Sequence, residues 1–373
     1  MQKFKTVDEL VGRLKPVKPV YCIRKQSVTR ASHFFLKNFP GDVLYAVKTN
    51  PNKKILKHLN ISGINNFDIA SIKEIETVKS ISSNAKCYYM NTVKSREDIK
   101  KAYFKHEIKT FSLDTKEELI KIIESTNNAK DLELFVRITV SNEHAKIDLS
   151  KKFGALTAEG IGLLRLAKQY AKKIGLSFHV GSQCVVLESW DMALREASGL
   201  WQKAVLAGIK LNTLNLGGGF PINYGKEVPS VTEILELVSK AVKSLFPGGV
   251  RIQVEPGRAM VGQAGTMVSR VIGKSLRGTE RWLYLDVGVF NGLMESIGGI
   301  RYEFLTSGSG EVVPWVVAGP SCDSVDIVAR DVWLPEPEIG DYVFIPSAGA
   351  YTTSYSSRFN GCRIPDIYIV KEG

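Results

Sequence analysis

The chain has 373 residues and a net charge of +12, with 44% hydrophobic and 24% charged residues. That is the balance of a soluble globular protein with room for one large domain or two ordinary ones. No apolar run could span a bilayer, the N-terminal stretch to Lys15 lacks an apolar signal core, and the lysines are dispersed with no arginine- and aromatic-rich segment, so membrane, secreted and nucleic-acid-binding classes are set aside and a cytoplasmic location is expected.

Strands and helices then alternate along the chain. Residues 42–47 (DVLYAV) read as a buried strand. Asn50 and Pro51 suit the cap and first position of a helix through residues 52–59. INNFDIAS is followed by the helical IKEIETVKSI, and KCYYMN by TVKSREDIKKAYF. IKTFSLD leads to TKEELIKIIES, with Asp114 or Thr115 as cap. LELFVRITV is a fifth strand. Thr157 is a cap candidate for a helix over 158–174, with Gly175 as its stop. LSFHVG, LNTLNLGGG and VRIQVEPGR follow as strands six to eight, separated by helices over 189–209 and 230–246. Eight strand–helix units in about 230 residues match the repeat number and size of a TIM barrel, here residues 24–262. Beyond that, RWLYLDVGV, VVPWVVAG, DIVARDVWL, DYVFIPSAG and PDIYIVK are β-rich with turn signals between them. They predict an all-β barrel or sandwich over 263–373, to which residues 1–23 add PVYCIR as an edge strand.

Barrel chemistry sits at the C-terminal ends of the strands. Those ends carry Lys48, Asp68, Asn91, Asp114, Arg137, His179, the run Gly217-Gly218-Gly219, and Glu255 with Gly257 and Arg258. A single polar strand end is routine; a full ring of them describes an active-site mouth. Three glycines after a strand bare backbone N–H groups for a phosphate, and Arg258 can add a charged fork. A lysine at an apolar strand end can have a lowered pKa and act as an amine nucleophile. Lysine plus phosphate site fits either a Schiff-base aldolase or a pyridoxal-phosphate enzyme. Glu255, able to pair with a pyridine nitrogen, and His179, able to stack on a cofactor ring, favour the second. Five scattered cysteines (Cys22, Cys87, Cys184, Cys322, Cys362) form no CxxC pair, so neither a disulfide scaffold nor a metal site is expected.

Taken in order, YAVKTNP, FDIAS, KFGA, FHVGSQ, LNLGGGFP, EPGR, GPSCDSVD and GAYTTSY resemble the fold-type III pyridoxal-phosphate decarboxylases of basic amino acids, the ornithine decarboxylase family in its compact bacterial or viral form. The resemblance spans essentially the whole chain. It implies an alanine-racemase-like architecture of barrel plus β-domain. Lys48 is similar to the lysine that carries the cofactor as a Schiff base, His179 to the ring-stacking residue, and Ser182 to a contact on the phosphate side. Gly218, Gly219, Gly257, Arg258 and Tyr351 resemble phosphate ligands, and Glu255 the partner of the pyridine nitrogen. Asp68, Glu74 and Arg137 match positions that orient the cofactor and its lysine. Cys322 and Asp323 resemble a pair that enters the neighbouring subunit's site, the cysteine to protonate the α-carbon and the aspartate to meet the substrate's distal ammonium. An obligate head-to-tail homodimer follows, with Lys152 of one copy facing Asp326 of the other. Glu295 and Ser296 stand where relatives bind the distal amine. Ornithine, giving putrescine, is the substrate expected first. Lysine, arginine or a non-catalytic homologue are the alternatives. Diaminopimelate decarboxylases are similar too, but carry glutamate where this chain has Asp323.

Overall fold

The computed structural model describes residues 4–140, 145–147, 152–306 and 308–371. The chain divides into two compact units, one built from Ser32–Pro221 with Pro229–Gly257, the other from the segment up to Ala31, Ile222–Val228 and everything from Arg258 on. The first unit is a closed parallel barrel of eight strands: Asp42–Ala46, Asn66–Ile69, Lys86–Tyr89, Thr110–Leu113, Glu133–Arg137, Lys173–Ser177, Thr213–Asn215 and Arg251–Val254. Each pairs with the next, and the last closes on the first with Gln253 beside Asp42. Val43, Leu44, Tyr45 and Ala46 are all buried, as a strand with helices outside and a packed interior requires. Four of the connecting helices begin where a hydroxyl accepts an otherwise orphaned N–H. Ser71, Ser95, Thr115 and Ser230 each accept from the third residue onward, and Ser230 forms a full capping box with Glu233.

Four sequence expectations come out differently, the first being Thr157, which is the first residue of its helix while Leu156 stands at the cap with no side-chain hydrogen bond. Gly175 does not stop a helix. The helix is Thr157–Lys168, and Gly175 lies inside the sixth strand opposite Phe135. A Cβ there would stand 2.3 Å from the Phe135 ring, so the glycine makes room for an aromatic inside the barrel. The helix after the first strand is capped by Asn52, not Asn50, and Lys48 instead lies in the 3-10 turn Val47–Thr49. Val20–Arg24 is no edge strand. It lies between Gly265–Arg277, antiparallel, and Asp366–Val370, parallel.

The N-terminal end of the barrel is closed by polar side chains. Arg251 donates to Asp42 at 2.5 Å and to the Tyr88 hydroxyl at 3.2 Å. Glu133 accepts from Thr110 and Thr213 and has Arg251 within 4.0 Å. The second unit is a mixed eight-stranded sheet centred on the long strand Gly265–Arg277. The apolar side of helix Val7–Leu14, with Phe4, covers Val20, Cys22, Val268 and Val370 of that sheet. Among the described residues no helix is long and apolar enough to cross a membrane, and no group of three or more His, Cys, Asp or Glu is placed to hold a metal.

Candidate active site

On the barrel unit, the C-terminal ends of the strands bring a lysine, three carboxyls, an arginine and a histidine to one rim. Lys48 follows the first strand directly, and its Nζ lies 3.5 Å from Asp68 Oδ2 on the second strand. The two differ in setting: the lysine side chain is 45% exposed, the aspartate 3%. One helical turn beyond that strand, Glu74 accepts the Ala70 N–H at 2.7 Å. Burial first, then the Asp68 charge, push the Glu74 carboxyl up to about 7, against the pull of that hydrogen bond and of Lys48.

Glu255 directly follows the eighth strand. Asn215 Nδ2, from the end of the seventh, donates to its Oε1 at 2.7 Å. Burial first, then the Asp68 charge, raises the Glu255 carboxyl to about 8 despite Lys48 and Arg137. His179 lies two residues past the sixth strand. Its Nδ1 accepts the Gly181 N–H at 2.9 Å, which places the ring proton of the neutral imidazole on Nε2. Burial, then Arg137 and Lys48, hold this histidine well below its ordinary pKa. The ring is therefore uncharged, the form that can lie against another aromatic ring without repelling a cation. Arg137 ends the fifth strand with its guanidinium 5.6 Å above the Phe153 ring.

The glycine run is tightly enclosed. Gly217 and Gly219 have φ of 65° and 113°, conformations that favour glycine. A Cβ on Gly218 would stand 2.7 Å from the Glu255 carbonyl and 3.2 Å from His179 Nε2. On Gly257 it would overlap Thr49 Oγ1 at 2.0 Å. Gly217 spends its N–H on Asn215 Oδ1 at 2.8 Å, which leaves Gly218 and Gly219 as the donors the run can offer an anion. Asn215 thus holds both the glycine turn and Glu255. The sequence reading missed it, although an asparagine between two leucines in LNLGGG was the available signal. Two residues of the expected ring do other work. Asn91 offers its carbonyl to the buried Lys94, which also donates to the Ser112 carbonyl and pairs with Glu118 at 3.0 Å. Asp114 accepts the Gly154 N–H at 2.8 Å.

In the β-rich unit, Arg258 and Glu295 form a two-pronged ion pair, with Nη1 to Oε2 at 2.7 Å and Nη2 to Oε1 at 2.6 Å. Both side chains are only 3% exposed. Tyr224 accepts from Arg258 Nη1 at 2.6 Å, and the guanidinium lies 5.0 Å from the Tyr351 ring centre. Burial, with Glu295 and Tyr351 as further causes against the pull of Arg258, raises the Tyr224 hydroxyl to about 12. Glu295 and Ser296, expected at the substrate's far end, have these partners within the chain. The Glu295 carboxylate is held by Arg258, and the Ser296 hydroxyl donates to the Leu293 carbonyl at 2.7 Å. Asp326 is engaged within its own chain. It is 3% exposed and accepts the Val289 and Ser321 N–H groups at 2.7 and 2.9 Å, while Gly288 and Gly319 press against it. Lys152 lies 5.0 Å from the Phe153 ring centre. Asp323 is half-buried and accepts the Val325 N–H. Cys322 is exposed, with its thiol 3.3 Å from Asn360 Oδ1. Ser182 opens the short strand Ser182–Cys184.

An amine at the rim, a buried carboxyl that retains a proton, a neutral imidazole and an enclosed glycine turn together suit pyridoxal phosphate. Comparison with known proteins agrees. The sequence profile of the pyridoxal-dependent decarboxylases, pyridoxal binding domain, matches residues 25–262, and the chain belongs to that family as a pyridoxal-phosphate-dependent amino-acid decarboxylase. It is 34% identical over 360 residues to a lysine/ornithine decarboxylase of Selenomonas ruminantium, covering 94% of this chain and 86% of that protein. The lysine/ornithine decarboxylase of Vibrio vulnificus complexed with cadaverine superposes with a TM-score of 0.87 at 28% identity, covering 99% and 100% of the two chains. The arginine decarboxylase of Paramecium bursaria Chlorella virus bound to agmatine gives 0.87 at 29%, covering 98% and 99%.

Proposed function

We propose that the protein decarboxylates a basic amino acid, L-ornithine first, and releases CO2 and putrescine. The observation that carries the chemistry is the buried, proton-retaining Glu255 held by Asn215. A carboxyl placed there shares its proton with a pyridine nitrogen, where a cation would oppose it. When bound, pyridoxal phosphate supplies the electron sink for the carbon that loses CO2. The chain's residues do the rest. Lys48 Nζ would be the amine that holds the cofactor through its aldehyde. Asp68, beside that amine, steadies its charge. Neutral His179 covers a ring face. Gly218 and Gly219 offer N–H groups to the phosphate, and Gly257 and Ser182 line its side. Arg258 and Tyr351 are the further phosphate contacts that the family resemblance implies, with the Arg258 charge shared with Glu295. The Cys322 thiol returns a proton to the α-carbon, and Asp323 takes the substrate's distal ammonium, both from the second copy of a head-to-tail homodimer.

Lysine is the second reading. With Glu295 held at Arg258, one expected carboxylate, Asp323, is left to mark the ammonium, and a single anchor discriminates weakly between chains differing by one methylene. The likeness to lysine/ornithine decarboxylases supports the same view. The deciding experiment measures CO2 release from ornithine, lysine, arginine and diaminopimelate side by side on protein loaded with pyridoxal phosphate. Ornithine should give the highest kcat/KM and lysine the next. A protein that stays colourless with pyridoxal phosphate, or prefers diaminopimelate, overturns the proposal. Mixing K48A and C322A proteins, each poor in diamine formation alone, should recover about a quarter of the wild-type rate of diamine formation if the sites are shared between copies.

A further inference from the structure

Outside the roles above, one side chain is aimed at the Cys322 thiol. Asn360 lies in the 3-10 turn Phe359–Gly361 with a φ of 54°. Its Oδ1 accepts the Cys322 backbone N–H at 3.2 Å and the Cys322 thiol at 3.3 Å. The turn itself is fixed. The Phe359 ring packs 4.6 Å from the Phe290 ring, Phe359 donates its N–H to Ser357 Oγ at 3.3 Å, and Ser357 donates its N–H to the Phe290 carbonyl at 2.7 Å. A left-handed backbone at this point restricts the position to glycine, asparagine or aspartate without strain. Of these, only the last two carry an acceptor.

We propose that Asn360 is a positioning residue for Cys322: its amide oxygen, by accepting the S–H, fixes the thiol rotamer from which the proton is delivered. The titratable groups on the two segments that meet here are Asp323 and Asp326 on the side of Cys322, and Arg358, Cys362 and Arg363 on the side of Asn360. The carboxylates of Asp323 and Asp326 are engaged with the N–H groups of Val325 and of Val289 and Ser321. This inference rests on the decarboxylase reading and on Cys322 as the proton donor.

The test uses the loaded enzyme in a Cys362→Ser background. Cys22, Cys87 and Cys184 are buried, so alkylation by iodoacetamide then reports Cys322. N360G keeps the backbone conformation and deletes the acceptor, and alkylation at fixed pH should be about fivefold faster. N360D keeps an acceptor and adds a negative charge, and alkylation should be about fivefold slower. In N360G the yield of diamine per CO2 should fall below that of the wild type, with KM little changed, because the proton no longer reaches the α-carbon on every turnover. Failure of either variant to move in its stated direction, or an unaltered diamine yield in N360G, overturns the proposal. If N360D does not fold, N360G alone decides. A wild-type protein that releases no CO2 from any basic amino acid would instead sink the decarboxylase reading, and the alkylation rates would still judge the role of Asn360.

Discussion

The two ends of the barrel are both polar, yet they are built on opposite terms. At the N-terminal end Arg251, Asp42, Glu133, Tyr88, Thr110 and Thr213 satisfy one another. At the C-terminal end the groups are forced away from their ordinary charge states, with Glu255 keeping a proton to about 8, Glu74 to about 7, and His179 held neutral. The comparison teaches that polar strand ends do not mark a site by themselves. The mark is a set of buried ionisable groups that the chain leaves electrostatically discontented.

Lys48→Ala strikes the active end hardest. CO2 release should fall about a thousandfold or more, and the visible band of the bound cofactor should vanish with no loss of urea midpoint. Retained turnover would remove the lysine from the chemistry. Glu255→Gln keeps the shape and one hydrogen-bonding oxygen but cannot ionise or share an acidic proton, so kcat should drop by about a hundredfold with the fold intact. Gly175→Ala tests the packed interior between the two ends. Its Cβ meets Phe135 at 2.3 Å, and a stability loss of about 1–3 kcal/mol should appear in denaturant unfolding. Arg251→Met at the opposite end should cost about 1 kcal/mol of stability and leave kcat/KM per folded molecule unchanged. A large catalytic effect there would erase the contrast.

The smallest effect is a slope. Glu255 in the fold ionises near 8 rather than at the ordinary 4.5. Between those values the unfolded chain has released this proton and the fold still binds it. The stability of the cofactor-free protein should therefore fall as pH rises through that window and level off above it. The difference in thermal midpoint between wild type and E255Q, followed across pH, should carry that slope; a flat difference would place the Glu255 carboxyl in an ordinary setting.

The eight barrel strands, their order and one helix cap, Thr115, were legible in the sequence because they follow from local rules: apolar runs of strand length, a hydroxyl before a helix, one helix between strands. The misreadings came where local rules compete. Gly175 looks like a helix stop because glycine often is one, and only the facing Phe135 explains it as a strand residue. Asn50 and Asn52 are both good caps, and the 3-10 turn that carries Lys48 decided between them.

The site divides along the same line. The sequence by itself determined which chemistry the chain can do, since Lys48, His179, the glycine run, Glu255 and Cys322 are each a residue type whose reactivity is intrinsic. Only the tertiary structure decided their states and partners. Whether a carboxyl keeps its proton depends on burial and on charges and hydrogen bonds brought from strands far apart in sequence, as the Asp68 charge and the Asn215 amide are for Glu255. Whether a glutamate faces a substrate or a neighbour depends on reach, and Glu295 closes on Arg258 across 37 positions of chain. Reactivity is carried by residue type, but charge state and aim belong to the surroundings, which exist only once the chain has folded.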